Sequence, residues 1–131
     1  MKLESPKVVL DKSAEETFNF LSDVKNFESL MPENISKFEV LDEGKFLFAL
    51  KGMPEIILQK KETTPFEKIV LGAAGGKLDF SLTCFITNVD DNKSEANLVF
   101  DGEFNPMMSL MIKGPISKFI ETLTTNMKTA V

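Results

Sequence analysis

Histidine, tryptophan and tyrosine are absent from this sequence, and cysteine occurs once, at Cys84. Without histidine there is no Ser-His-Asp or Cys-His nucleophile system and no imidazole metal site. A lone cysteine cannot close an internal disulfide. Without a histidine beside it, it is a poor nucleophile and a poor start to a zinc site. The residues therefore supply no catalytic constellation, no metal ligand set and no cofactor site. Long hydrophobic runs are missing too: nothing approaches the roughly 18 apolar residues of a membrane span. The opening MKLESPKVVLDK has no apolar stretch of the kind a secretory signal needs. Clustered positive charge is also lacking. Fifteen Lys+Arg stand against 20 Asp+Glu, for a net charge of −5 with no long basic run. That argues against nucleic acid and anionic membrane surfaces as partners, since both attract grouped cations. The expectation is a cytoplasmic protein with no stable membrane insertion, its thiol kept reduced.

What is present reads as one domain spanning residues 1–131. The chain is long enough for its own core, and 43% of it is hydrophobic, the globular range. Twelve Phe supply all the aromatic surface. They bring bulk and shape without a hydroxyl or an indole N–H.

The longest apolar stripe lies at the end. Ile112, Ile116, Phe119, Ile120, Leu123 and Met127 fall at steps of four, three, one, three and four, the face of an amphipathic helix. Lys113, Ser117, Lys118, Glu121, Thr122 and Thr125 occupy the other side. Pro106 suits the first helical turn, with Asn105 as N-cap. Pro115 predicts a kink near Lys113–Gly114. Ahead of it, Met107, Met108, Leu110, Met111 and Ile112 leave only Ser109 polar. Such a half-helix is expected to be covered nearly all round, either as ordinary core or as the wall of an apolar cavity.

Upstream, Leu3–Leu10 reads as a strand, with Pro6 marking an edge position or a bulge. Ser13 and Glu16 have capping-box spacing and open a helix that ends at Asp23. Its buried face is Ala14, Phe18 and Leu21, or Thr17, Phe20 and Leu21. A second short helix runs from Val24 to Met31, stopped by Pro32. From Ile35 the apolar period becomes two. Ile35–Leu41 and Lys45–Lys51 flank the turn Asp42-Glu43-Gly44. Strands follow over Glu55–Thr63, Lys68–Ala73, Leu78–Val89 and Ser94–Phe104, with breaks at Gly52-Met53-Pro54, Thr64–Glu67, Gly75-Gly76 and Asp90–Lys93. Alternation puts Phe38, Val40, Phe46, Phe48, Leu50, Ile69, Leu71, Ala73, Leu78, Phe80, Leu82, Cys84, Ile86, Ala96, Leu98, Phe100, Gly102 and Phe104 on a dry face. Asp79, Ser81, Thr83, Thr87, Asn97, Asp101 and Glu103 fall on a wet one. Only the C-terminal helix remains to cover the dry side. The class is α+β.

One strand, two short helices, a six-strand meander and a long final helix form the order of a helix-grip fold. With Ser13–Asp23 and Asn26–Pro32 as the best local matches, the chain resembles the START-like, or Bet v 1-like, superfamily (SRPBCC), including its polyketide cyclase/dehydrase and CoxG-like branches. The resemblance implies a curved sheet of about seven strands wrapped around the helix, enclosing an apolar cavity that opens near the short helices. Carried onto this chain, the wall is Phe46, Phe48, Leu50, Phe80, Leu82, Phe100, Phe104, Met107, Met108 and Met111. Leu30 and Met31 sit near the mouth. Members with enzymatic activity place His, Tyr, Arg or acidic groups in that cavity, and the first two are missing here.

Other chemistry is sparse. A Lys60–Glu62 pair at the mouth could anchor a polar head group, but a strand end reaching solvent is the simpler reading. Cys84, among apolar neighbours, reads as a structural thiol. Gly72–Lys77 lacks phosphate-loop spacing and reads as a turn. The function expected is a soluble binding protein for a hydrophobic small molecule or lipid. The alternatives are a ligand-free protein-interaction module and, behind it, a cyclase- or dehydrase-like enzyme. Homo-oligomerisation is left open.

Overall fold

Alternating apolar residues build most of the molecule into one sheet. The computed structural model describes residues 1–53, 55–74 and 79–131. The strands are β1 (Lys2–Glu4), β2 (Val8–Leu10), β3 (Ile35–Asp42), β4 (Lys45–Leu50), β5 (Ile56–Thr64), β6 (Lys68–Ala73), β7 (Phe80–Asp90) and β8 (Lys93–Gly102). The helices are α1 (Ala14–Ser22), a 3-10 helix (Val24–Leu30) and α2 (Pro106–Ala130). Among the described residues the eight strands form one open antiparallel sheet, ordered β1-β8-β7-β6-β5-β4-β3, with β2 pairing β8 alongside β1. The meander β3–β8 thus carries the chain across the sheet, and the N-terminal strands close on its last member. This is the expected helix-grip arrangement. Parts of the predicted breaks at Gly52-Met53-Pro54 and Gly75-Gly76, the segment Gly72–Lys77 beyond Ala74, and Leu78 lie outside the described residues.

The first strand is two strands. Pro6 cannot donate to a ladder, and the chain breaks there. Ser5 bridges the gap: its N–H donates to the Leu98 carbonyl at 2.8 Å, and its Oγ accepts from the Leu98 N–H at 2.8 Å. Thr124 of α2 also reaches Ser5 Oγ, at 2.9 Å. The interruption is therefore tied to both the sheet and the long helix.

Local signals place the helices. Glu16 N–H donates to Ser13 Oγ and Ser13 N–H donates to the Glu16 carboxylate, completing the capping box. The buried face of α1 is Ala14, Thr17 and Leu21, with Phe18 and Phe20 only half-buried. Val24, Phe27 and Leu30 are all buried. Their three-residue spacing suits a 3-10 helix, which aligns positions i and i+3, better than an α-helix. Asn105 caps α2 by accepting from the Met108 N–H at 2.8 Å. The helix runs without interruption through Pro115, which lacks the N–H that would otherwise donate to the Met111 carbonyl.

The apolar stripe of α2 from Ile116 to Met127 is buried against the sheet, as its spacing requires. The half-helix before it differs from expectation: Met107, Leu110 and Met111 are 74%, 82% and 69% exposed. The covering element is a sheet face, which reaches one side of a helix and not all of them. Two strand assignments also change. Val40 is exposed, because β3 is an edge strand whose register shifts between Ile35 and Lys37 and again after Val40. Asn97, expected on the wet face, is buried. It sits on β8, flanked by β2 and β7, with Phe85 directly opposite. No described helix is long and apolar enough to cross a membrane.

Candidate functional site

Phenylalanines organise the interior into two groups. Phe46 stacks between Phe27 and Phe38, each at 5.4 Å, and fills the space beneath the 3-10 helix. Further along β4, Phe48 stacks on Phe119 of α2 at 5.0 Å with 6° between the planes. On the far strands Phe100 lies 5.2 Å from Phe80 and 6.0 Å from Phe104. Between the Phe48–Phe119 pair and the Phe80–Phe100–Phe104 group the packing is incomplete. An apolar pocket of about 220 Å³ remains under the first half of α2.

Four segments build it. β4 and β5 supply Phe48 and Ile56, and the turn between them supplies Gly52 and Met53. That turn needs Gly52, whose φ is +84°, with Met53 N–H donating back to the Leu50 carbonyl. β7 and β8 supply Phe80, Leu82 and Phe100, and Phe104 follows. Gly102 is a second required glycine: a Cβ there would stand 2.7 Å from Phe80 Cβ and 2.8 Å from the Phe104 ring. Its absence lets Phe104 lie against the sheet. α2 closes the pocket with Met108, Met111 and Ile112, then Ile116, Phe119 and Ile120. No described lining residue carries a charge, hydroxyl or amide on its side chain.

Of the residues expected at the site, Phe48, Phe80, Leu82, Phe100, Phe104, Met108 and Met111 line this pocket. Five do not. Leu30 is fully buried, with its carbonyl accepting from Asn126 of α2 at 2.8 Å. Met31, beside it, is half-buried against the core. The 3-10 helix is thus seated against α2. Phe46 is held in its aromatic stack. Leu50 borders a separate, more polar groove with Lys51 and Lys118. Met107 is one residue, about 100° of helix rotation, away from the inward-facing Met108 and points to solvent.

Sequence reasoning missed Gly52, Met53, Ile56, Ile112, Ile116, Phe119 and Ile120 as pocket residues. The α2 members were visible as a stripe, but a stripe reads the same over a filled core and over a void. Met53 sits in a turn and left no periodic signal.

The polar candidates separate. β5 shifts register between Lys60 and Glu62, so they do not act as a pair. Lys60 Nζ donates to the Ser22 carbonyl at 2.9 Å, and Glu62 meets Lys68 at 3.6 Å. Cys84 is buried between Ile69 and Leu98 across the sheet. Desolvation pushes its thiol up to about 12, so it stays protonated.

No family model matches the sequence, and no curated protein matches it. Solved structures do. A START superfamily protein from Mycobacterium smegmatis superposes with a TM-score of 0.75 at 15% identity, over 97% of this chain and 94% of that one. Norcoclaurine synthase from Thalictrum flavum, in complex with dopamine and hydroxybenzaldehyde, gives 0.70 at 10% identity over 95% and 84%. The di-domain ARO/CYC BexL of the BE-7585A biosynthetic pathway gives 0.68 at 12% identity, over 97% of this chain and 46% of that one. At these identities the likeness is one of fold. Strand order, helix placement and these superpositions together give the chain the START-like, Bet v 1-like helix-grip fold.

Proposed function

We propose that this chain is a binding protein that holds a hydrophobic small molecule or lipid in the pocket between the sheet and the first half of α2. The observation that carries the reading is the wall itself: phenylalanine, leucine, isoleucine and methionine side chains surrounding space they do not fill. Apolar concavities with few polar groups are the usual form of small-molecule sites. The fold is shared with a protein solved in complex with two aromatic compounds. Acid–base chemistry would need titratable groups in the wall, and no described lining residue supplies one. The test is native mass spectrometry of protein purified from its source, with uptake of an uncharged apolar fluorophore in parallel. A bound adduct or saturable uptake is expected. If no adduct appears and no apolar probe is taken up, the proposal fails.

One observation favours a second reading, a protein-interaction module. Met107, Leu110 and Met111 form an exposed apolar face at helical spacing, and such faces serve as partner surfaces. Sedimentation of the protein with and without Leu110→Lys tests it: loss of association in the variant supports an interaction role.

A further inference from the structure

We infer that the pocket takes a compact, flat, uncharged ring compound, about the size of two fused aromatic rings, and not a long acyl chain. This rests on the proposed binding role and narrows it to a ligand class. Size, wall shape and wall chemistry each set a limit.

The pocket is about 220 Å³. Sites for drug-sized ligands run from roughly 300 to 1,000 Å³, while a dry cavity of about 150 Å³ accepts one benzene. On that scale this pocket holds about one and a half benzene rings. A sixteen-carbon chain would leave much of its length outside.

The walls are aromatic. Phe48 and Phe119 stack on each other within 6° of parallel, and Phe100 and Phe104 within 5°, and all four line the pocket. Rings of that kind present extended π-faces and positive edges, which a planar guest meets in offset or edge-to-face contact. A flexible chain gains none of this quadrupole complementarity. It also loses rotor freedom on entering. Met111, at the solvent side of the pocket, adds a polarisable side chain that adapts to ring substituents.

The chemistry excludes charge. A buried carboxylate or ammonium needs a partner, and the described wall offers none. Lys51 and Lys118 line the neighbouring groove, which meets this pocket at Gly52, Met53 and Phe119.

The absence of tryptophan and tyrosine makes the test direct, because naphthalene fluorescence can be read without protein background. Naphthalene, 2-naphthoate and palmitate are titrated against the full chain, and naphthalene also against Met108→Phe, which adds bulk inside the pocket. Naphthalene should saturate one site roughly tenfold more tightly than either anion, a difference of about 1.4 kcal/mol. Met108→Phe should weaken it by a similar factor. Tighter binding of palmitate or 2-naphthoate than of naphthalene overturns the ligand class and leaves the binding role standing. Naphthalene binding that Met108→Phe leaves unchanged overturns it as well, by putting the site elsewhere. If none of the three binds, this inference fails, and the binding role fails with it where native mass spectrometry also shows no adduct.

Discussion

Replacing Phe119 by alanine should separate the two jobs that one side chain performs. The ring is 5% exposed, stacks on Phe48 at 5.0 Å, and borders the pocket. Phe→Ala in a packed core costs about 3–5 kcal/mol. One side of this ring already faces open space, so it has fewer contacts to lose, and the low end, ~3 kcal/mol, is expected. Unfolding entropy near 60 °C is about 2.1 cal/mol/K per residue, or roughly 275 cal/mol/K for a chain of 131 residues. The melting temperature should therefore fall by about 11 °C. Phe27→Ala is the control. That ring is 1% exposed, stacks on Phe46 at 5.4 Å, and does not border the pocket. It should cost ~4–5 kcal/mol, or about 15–18 °C, with naphthalene affinity unchanged in the folded protein. Calorimetry and fluorescence titration on both variants read the two effects. If Phe119→Ala loses stability while naphthalene affinity stays at the wild-type value, Phe119 is core alone and the pocket is not the binding site.

Met111→Ala should change stability by no more than about 0.5 kcal/mol, because the side chain is 69% exposed, yet weaken naphthalene binding several-fold. A loss of stability without a loss of affinity would contradict its placement in the wall. Ser5→Ala leaves the buried Leu98 N–H without the hydroxyl acceptor it has at 2.8 Å and should cost ~1–3 kcal/mol in a urea melt. A smaller effect would mean that the strand break does not depend on that bond. Cys84 gives a pH signature. Its thiol sits near 12 in the folded chain against 9.0 for a free thiol, so between those values the unfolded chain loses the proton first. Stability is unaffected by this group below about 9 and should fall by up to ~1.4 kcal/mol per pH unit above it. Denaturant melts of wild type and Cys84→Ala check this, since the alanine variant should lack that part of the slope.

The architecture was legible because it rests on local, repeated signals. The capping box at Ser13, the Asn105–Pro106 helix start, the Asp90–Lys93 turn and the alternation along β7 and β8 all follow from short-range geometry. Each states which way a residue faces. The ladder through β3–β8 then leaves one long helix to cover one dry face.

The candidate site was legible in part for the same reason. Phe48, Phe80, Leu82 and Phe100 line the pocket because they share that inward face, Phe104 follows them, and Met108 and Met111 meet them from the helix opposite. Facing inward is not the same as bordering empty space. Phe46 and Phe48 belong to one face of β4, yet Phe27 and Phe38 stack on the first, while the second reaches across to Phe119 beside the void. Leu30 was expected at an opening, and the 3-10 helix seats it under α2. Met107 and Met108 look alike in sequence but point to solvent and pocket. Periodicity and capping act over a few residues, so the elements, their order and the apolar character of the interior are written locally. Where that interior is filled and where it is left open is set only when the elements pack together. A void depends on how distant side chains meet, and no local spacing encodes that distance.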